Sequence, residues 1–158
     1  MVDFNDVVKL TGYLNYSDVS ALHLAAELGH FSIVKRIIEN IENKFPLDGS
    51  GKTPLHHAII GGNLRVFKML HAYCLEVNPF VFPAMKTTLL HIAVLEQQFE
   101  IIKFILKKLP MSQRNPPTRT GDTPLALAFN KENAELVELI KSFLELPFDD
   151  EPLSVCTL

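Results

Sequence analysis

What this sequence is short of narrows the field before any motif is read. Two cysteines, Cys74 and Cys156, in 158 residues make no disulfide framework, so a reducing compartment is the simpler setting. Positive charge is not in excess. Fifteen Lys and Arg stand against eighteen Asp and Glu, net −3, which excludes a chain that holds nucleic acid by charge alone. Long apolar runs are missing as well: stretches such as Ala58–Gly62 and Thr88–Leu95 fall far short of the roughly 20 residues a membrane-spanning helix needs. The opening MVDFNDVVKL carries acids where a secretory signal needs a basic flank, and has no long apolar core. These absences predict a cytoplasmic protein, with the nucleus also open to it, that engages neither membrane nor nucleic acid.

What is present points to a packed fold. The chain is 47% hydrophobic and 21% charged, with mean hydropathy +0.16. That much apolar surface can offset the ordering entropy of the backbone. The length suits one compact domain or one short repeat array, not two independent cores.

The sequence repeats itself. Four segments superpose without gaps: SALHLAAELGHFSIVKRII from Ser20, TPLHHAIIGGNLRVFKML from Thr53, TLLHIAVLEQQFEIIKFIL from Thr88 and TPLALAFNKENAELVELI from Thr123, with starts 33, 35 and 35 residues apart. A hydroxyl opens each one. Leu follows two residues on (Leu22, Leu55, Leu90, Leu125) and Ala five on (Ala25, Ala58, Ala93, Ala128). Ser20, Thr53, Thr88 and Thr123 stand where a helix N-cap stands, immediately before an apolar periodic run. Pro54 and Pro124 take the first helical position, where a missing N–H costs nothing. Gly29 and Gly62 end the first helix of their units at a position that favours positive φ. A longer helix then starts, with an apolar face such as Ile33, Val34, Ile37 and Ile38. In the last helix Ala134, Leu136, Val137, Leu139 and Ile140 form the apolar side, while Glu135, Glu138, Lys141, Ser142 and Glu145 form the wet side of a terminal cap. Each unit is therefore helix–turn–helix plus a loop, and only stacking buries its apolar faces.

On these residues the chain resembles the ankyrin-repeat family. The resemblance rests on the period, on TPLHHA from Thr53 to Ala58, on Gly29-His30 and on the lead-in of Asp48, Gly51 and Thr53, and it extends over roughly Tyr16 to Leu146. It implies an all-α solenoid of stacked helix–turn–helix units with finger loops. The expected layout is an N-terminal helix or cap at 1–14, with Phe4, Val7 and Val8 at helical spacing. An array follows at 15–146, in units of about 15–47, 48–82, 83–117 and 118–146, and then an acidic tail at 147–158. Repeats three and four depart from the pattern. Leu89 replaces proline, Gln97 and Glu132 replace the helix-ending glycine, and Ala126 replaces histidine. These changes weaken local capping and leave the apolar frame intact.

Six histidines raise the question of metal or catalysis. His23, His56 and His91 recur one repeat apart, on the order of 10 Å for packed helices. Metal donors must lie within about 2.0–2.1 Å of one ion, so these three cannot share it. The resemblance implies a structural role for them, hydrogen-bonding nearby turn backbone. His30, His57 and His71 have no Cys, Asp or Glu at ligand spacing and read as surface or interface residues. No Ser-His-Asp or Cys-His set can be assembled. The run GSGKT lacks the spacing of a phosphate loop and precedes a proline. Neither a catalytic residue, a metal site nor a cofactor is expected.

Charge is uneven along the chain. Lys103, Lys107, Lys108, Arg114 and Arg119 form a basic stretch without an acid, and four acids crowd Glu145–Glu151. Two readings stay open: a solvated face with an acidic tail, or a basic surface that steers an acidic partner or is masked by the tail.

The resemblance implies binding rather than catalysis, through a concave face built from finger-loop tips and the exposed ends of the first helices. By matching offsets that face takes Tyr16, Glu27, Leu28, Ser50, Lys52, Ile60, Met85, Leu95, Glu96, Arg119, Asp122 and Lys131, with Leu28, Ile60 and Leu95 expected to align as an apolar ladder. Phe80 and Phe82, in a loop between two prolines, either pack under the finger or form a rigid contact. The structural motif residues are His23, Thr53, Pro54, His56, Thr88, His91, Thr123 and Pro124. The expected protein is a monomeric scaffold, inhibitor or adaptor in signalling that binds a partner protein; one variant is an inhibitor resembling the I-kappa-B type. The alternative is a substrate adaptor or regulatory fragment of a larger protein, for example a ubiquitin-ligase or signalling component, whose active domain lies elsewhere.

Overall fold

The structure, a computed structural model, describes residues 18–73, 80–82 (backbone only) and 86–145. The expected N-terminal helix, the acidic tail, Tyr16, Cys74 and Met85 lie outside the described residues. Four helix pairs follow one another: α1 (Ala21–Glu27) with α2 (Phe31–Asn40), α3 (Pro54–Ile60) with α4 (Leu64–Tyr73), α5 (Leu89–Leu95) with α6 (Phe99–Lys108), and α7 (Pro124–Asn130) with α8 (Ala134–Glu145). A 3-10 turn, Met111–Gln113, follows α6. The chain is an all-α solenoid. The short first helices pack in one row and the longer second helices in another.

The short helices start the same way for a chemical reason. Ser20, Thr53 and Thr88 have extended backbone at the N-cap, and the histidine three residues on reaches back to each. Its Nδ1 accepts the N-cap backbone N–H at 3.1, 2.8 and 3.1 Å. It also lies 2.8, 2.7 and 2.9 Å from the N-cap hydroxyl. Histidine thus does the work that Glu or Gln does in an ordinary capping box. In α7, where Ala126 stands in that place, the Thr123 hydroxyl accepts from the Ala126 N–H at 3.1 Å.

Each short helix ends in one left-handed residue: Gly29 at φ 75°, Gly62 at 69°, Gln97 at 53° and Glu132 at 53°. The two non-glycine residues adopt the glycine conformation because the turn demands it. The N–H of Gln97 reaches the Val94 carbonyl at 3.0 Å and that of Glu132 the Phe129 carbonyl at 2.9 Å, as Gly62 reaches Ile59 at 3.0 Å.

The core is the seam between repeats. Ala25, Ala58, Ala93 and Ala128 are buried, along with Ile37, Phe67, Leu70, Ile102, Leu106, Leu136 and Ile140. Adjacent repeats approach so closely that a Cβ on Gly61 would lie 1.8 Å from the Glu27 carbonyl oxygen. Polar rungs span the same seam: the Asn63 amide donates to the Ala26 carbonyl at 3.2 Å and the Asn133 amide to Gln97 Oε1 at 2.8 Å.

Two side chains assigned to apolar faces lie outside the core. Ile33 is 48% exposed, although Val66, Ile101 and Leu136 at its register are buried; among the described residues no earlier helix pair covers it. Ala134, the first residue of α8, is exposed, because the buried stripe of that helix begins at Leu136. The third finger also differs from the expected loop. Phe80–Phe82 (β1) and Thr87–Thr88 (β2) pair antiparallel, Phe80 opposite Thr88 and Phe82 opposite Thr87, with a break in register between them. Aromatic and β-branched residues suit such a ribbon.

Candidate functional site: the concave face

The finger loops are held by short turns, and the one after α2 is the most elaborate. Asp48 Oδ1 accepts the backbone N–H of Ser50 and of Lys52, both at 2.8 Å. The Asp48 N–H donates to the Lys52 carbonyl, closing the turn at 2.9 Å. Thr118 does the same in the last finger, its hydroxyl accepting the Asp122 N–H at 3.1 Å. Ser50 and Lys52, expected on the binding face, are thus presented by a turn organised around one buried carboxylate.

That carboxylate has a second partner that was not expected. His57 is buried rather than at the surface. Its Nε2 lies 3.0 Å from Asp48 Oδ2, and its Nδ1 lies 2.7 Å from Glu27 Oε2 of the preceding repeat. The His23 ring meets it edge-on at 4.9 Å. Burial alone would raise the Asp48 pKa, but the bond from His57 and those from the Lys52 and Ser50 N–H groups outweigh it and hold the carboxyl below its usual value. Sequence spacing missed this set because the carboxylates lie nine and thirty residues away. A signal was nonetheless there: at the register of His57 the other repeats carry Leu24, Ile92 and Leu127.

The three capping histidines are neutral by construction. His23 Nδ1 accepts, so its Nε2 carries the proton, facing the Pro46 and Lys52 carbonyls at 3.1 Å each. His91 Nε2 likewise faces the Asp122 carbonyl at 3.2 Å. Burial is the first cause that lowers all three pKa values; for His56 the result is about 4. His71 is half-buried, its ring 5.8 Å from Phe67 and 5.6 Å from Phe104, and burial and then Lys108 lower its pKa too. His30 is exposed.

The remaining face residues divide. Leu28 is 58% exposed and Leu95 39%. Ile60 is half-buried. They do not share one register: Ile60 and Leu95 end their helices as Glu27 ends α1, whereas Leu28 stands one residue later, at the level of Gly61, Glu96 and Lys131. Glu96, Arg119 and Lys131 are exposed, and Lys52 and Asp122 are half-buried. Between α5 and the last finger an open cavity of about 180 Å³ brings Leu95, Arg119 and Asp122 together, walled by Thr87, Thr118 and Leu127. It suits one side chain, since small-molecule pockets are commonly about 300–1,000 Å³. Phe129, unremarked in the sequence, is 54% exposed, while Ala26, Ile59 and Val94 at its register are fully buried.

The basic stretch does not act as one surface. Arg114 is buried: its Nε donates to the Leu109 carbonyl at 3.0 Å and its Nη1 to the Phe143 carbonyl at 2.6 Å, tying the loop to the end of α8. Lys103 is paired with Glu100 at 2.9 Å. Among the described residues no group of three or more His, Cys, Asp and Glu side chains is placed to hold a metal. None of the described helices is long and apolar enough to cross a membrane.

Comparison with known proteins agrees with this architecture. The family model for ankyrin repeats (three copies) matches residues 4–81. An ankyrin repeat protein of fowlpox virus (strain NVSL) is 40% identical over 48 residues, 30% of this chain and 34% of that protein. The matched segment therefore spans about a third of that curated relative's length.

Proposed function

Because the chain belongs to the ankyrin-repeat family, whose repeats are protein–protein interaction modules, we propose that it holds a partner protein across its concave face. In this reading it is a monomeric inhibitor or adaptor of the cytoplasm or nucleus with no chemistry of its own. The observation that carries the reading is the cavity at Leu95, where an exposed aliphatic, Arg119 and Asp122 line a space for one side chain. An apolar anchor beside unlike charges is the composition of an interface hot spot. Ile60, at the register of Leu95 and half-buried, carries apolar surface one repeat toward the first.

The test pairs Leu95→Ser with Arg119→Ser in one variant. Neither side chain belongs to the buried seam, so the melting temperature should stay within a few degrees of the parent. A protein captured from native lysate by the parent should be lost by the variant, since hot-spot truncations typically cost about 2 kcal/mol or more apiece. Equal capture by both proteins would move the site off this face.

A further inference from the structure

His57 is the one histidine in the described repeats with a carboxylate at each ring nitrogen, Glu27 at 2.7 Å and Asp48 at 3.0 Å. A carboxylate only accepts, so both contacts are hydrogen bonds only while the ring carries both protons. A neutral ring must turn a lone pair toward one of them. The surroundings decide which. Asp48 is 5% exposed at its side chain, and its other oxygen is pinned by two backbone N–H groups. Glu27 is 40% exposed at the end of α1 and can turn into water at little cost. The neutral ring therefore keeps its proton on Nε2, facing Asp48, and Glu27 leaves.

We propose that His57 is a proton-operated latch between the first two repeats, closed onto Glu27 when the ring is charged and open when it is neutral, with the Asp48 turn held in both states. The inference rests on the reading of the concave face as the partner surface in one respect: opening frees a carboxylate there, placed for a basic group of the partner. The charged and titratable groups around the ring are few. From α1 come Glu27 and His23, and His23 is committed as a neutral donor to backbone carbonyls. Asp48 and Lys52 come from the finger, and His56 from its own helix. The next short helix, α5, carries only His91, bonded to the Thr88 and Asp122 backbone. No acid other than Glu27 and Asp48 bonds to the ring among the described residues, so the latch has one release direction.

The full chain, with 15N-labelled histidine, tests this without any partner. At the acid limit of a pH series both His57 nitrogens should give the shifts of protonated sites, and at the alkaline limit the Nε2–H tautomer alone should remain. A Glu27→Gln protein supplies the second measurement. Its carboxamide can offer either an oxygen or an NH2 to Nδ1, so its link ignores the protonation state. The parent should melt higher than E27Q at the acid end by about 2–4 °C, and the gap should close as pH rises. A neutral ring found as the Nδ1–H tautomer would overturn the proposal. So would a gap that stays constant across the range. Either failure would leave the partner-binding reading standing, because no binding is measured.

Discussion

At the scale of single residues, the repeated histidine serves its helix cap in one electrical state only. His23, His56 and His91 must stay neutral, because Nδ1 accepts the backbone N–H that starts the helix. Protonating that nitrogen replaces an attraction with a repulsion. Their folded pKa values lie below the ordinary 6.5, so the unfolded chain binds more protons in the window between the two values. Stability contributed by these groups is present above about pH 6.5 and is lost as pH falls through the folded values. For His56, at about 4, the loss amounts to roughly 3 kcal/mol on reaching pH 4. Thermal melts from neutral pH downward should therefore fall steeply, and His56→Gln should flatten the slope because an amide does not titrate in that range. An unchanged slope in the variant would remove His56 from the account.

The cap itself was legible in the sequence, since a hydroxyl before an apolar run and a histidine three residues later stand side by side in the chain. The His57 set was not, because Glu27 reaches the ring only through stacking and Asp48 only through the fold-back of its own finger loop. The aliphatic ladder was misaligned for a related reason. Leu28 looks like Ile60 and Leu95 in composition, but the helix ends at Glu27, and one residue past a helix end points elsewhere.

At the scale of one element, the turn between short and long helix is stronger than its residues. Gln97 and Glu132 hold left-handed backbone at φ 53°, a conformation that disfavours a Cβ by roughly 1–2 kcal/mol. Stacking of the second helix fixes the turn and the residue complies. Glu132 is exposed, whereas Gln97 accepts a bond from Asn133, so the former gives the cleaner trial. Glu132→Gly should raise stability by up to about 1 kcal/mol, the relief of strain less the extra freedom of glycine in the unfolded chain. Chemical denaturation would measure it, and a loss of stability would show that the turn is not under strain. The helices and their caps could be read from the sequence, as could Pro54 and Pro124 at helix starts. The β1–β2 ribbon could not, because its first strand is three residues set between Pro79 and Pro83, its second is two, and neither carries an alternation long enough to mark it.

At the scale of the whole molecule, the fold is carried by alanines where two repeats touch. Ala58 has no exposed surface, and its neighbours leave no room for a longer side chain. Ala58→Glu should cost about 3–5 kcal/mol, because it places an unpaired charge in a packed seam. Loss of cooperative melting by circular dichroism would be the expected reading, and an unaltered melt would refute the stacked-repeat account of the core. The period and the recurring Ala made this seam visible in advance. The exposure of Ile33 and Phe129 was not visible, because it depends on what stands beyond the outer repeats rather than on the residues themselves.

The substantial helix packing joins members of one repeat or of adjacent repeats, and the Asn63 and Gln97–Asn133 rungs follow the same rule. The molecule is thus wired in series. A disturbance at the first seam reaches the last only by passing through the two helix pairs between them, each of which can absorb part of it by a small rotation. Such an object bends like a spring rather than closing like a jaw. A row of short helices coupled only to its neighbours can change curvature while every local contact stays intact.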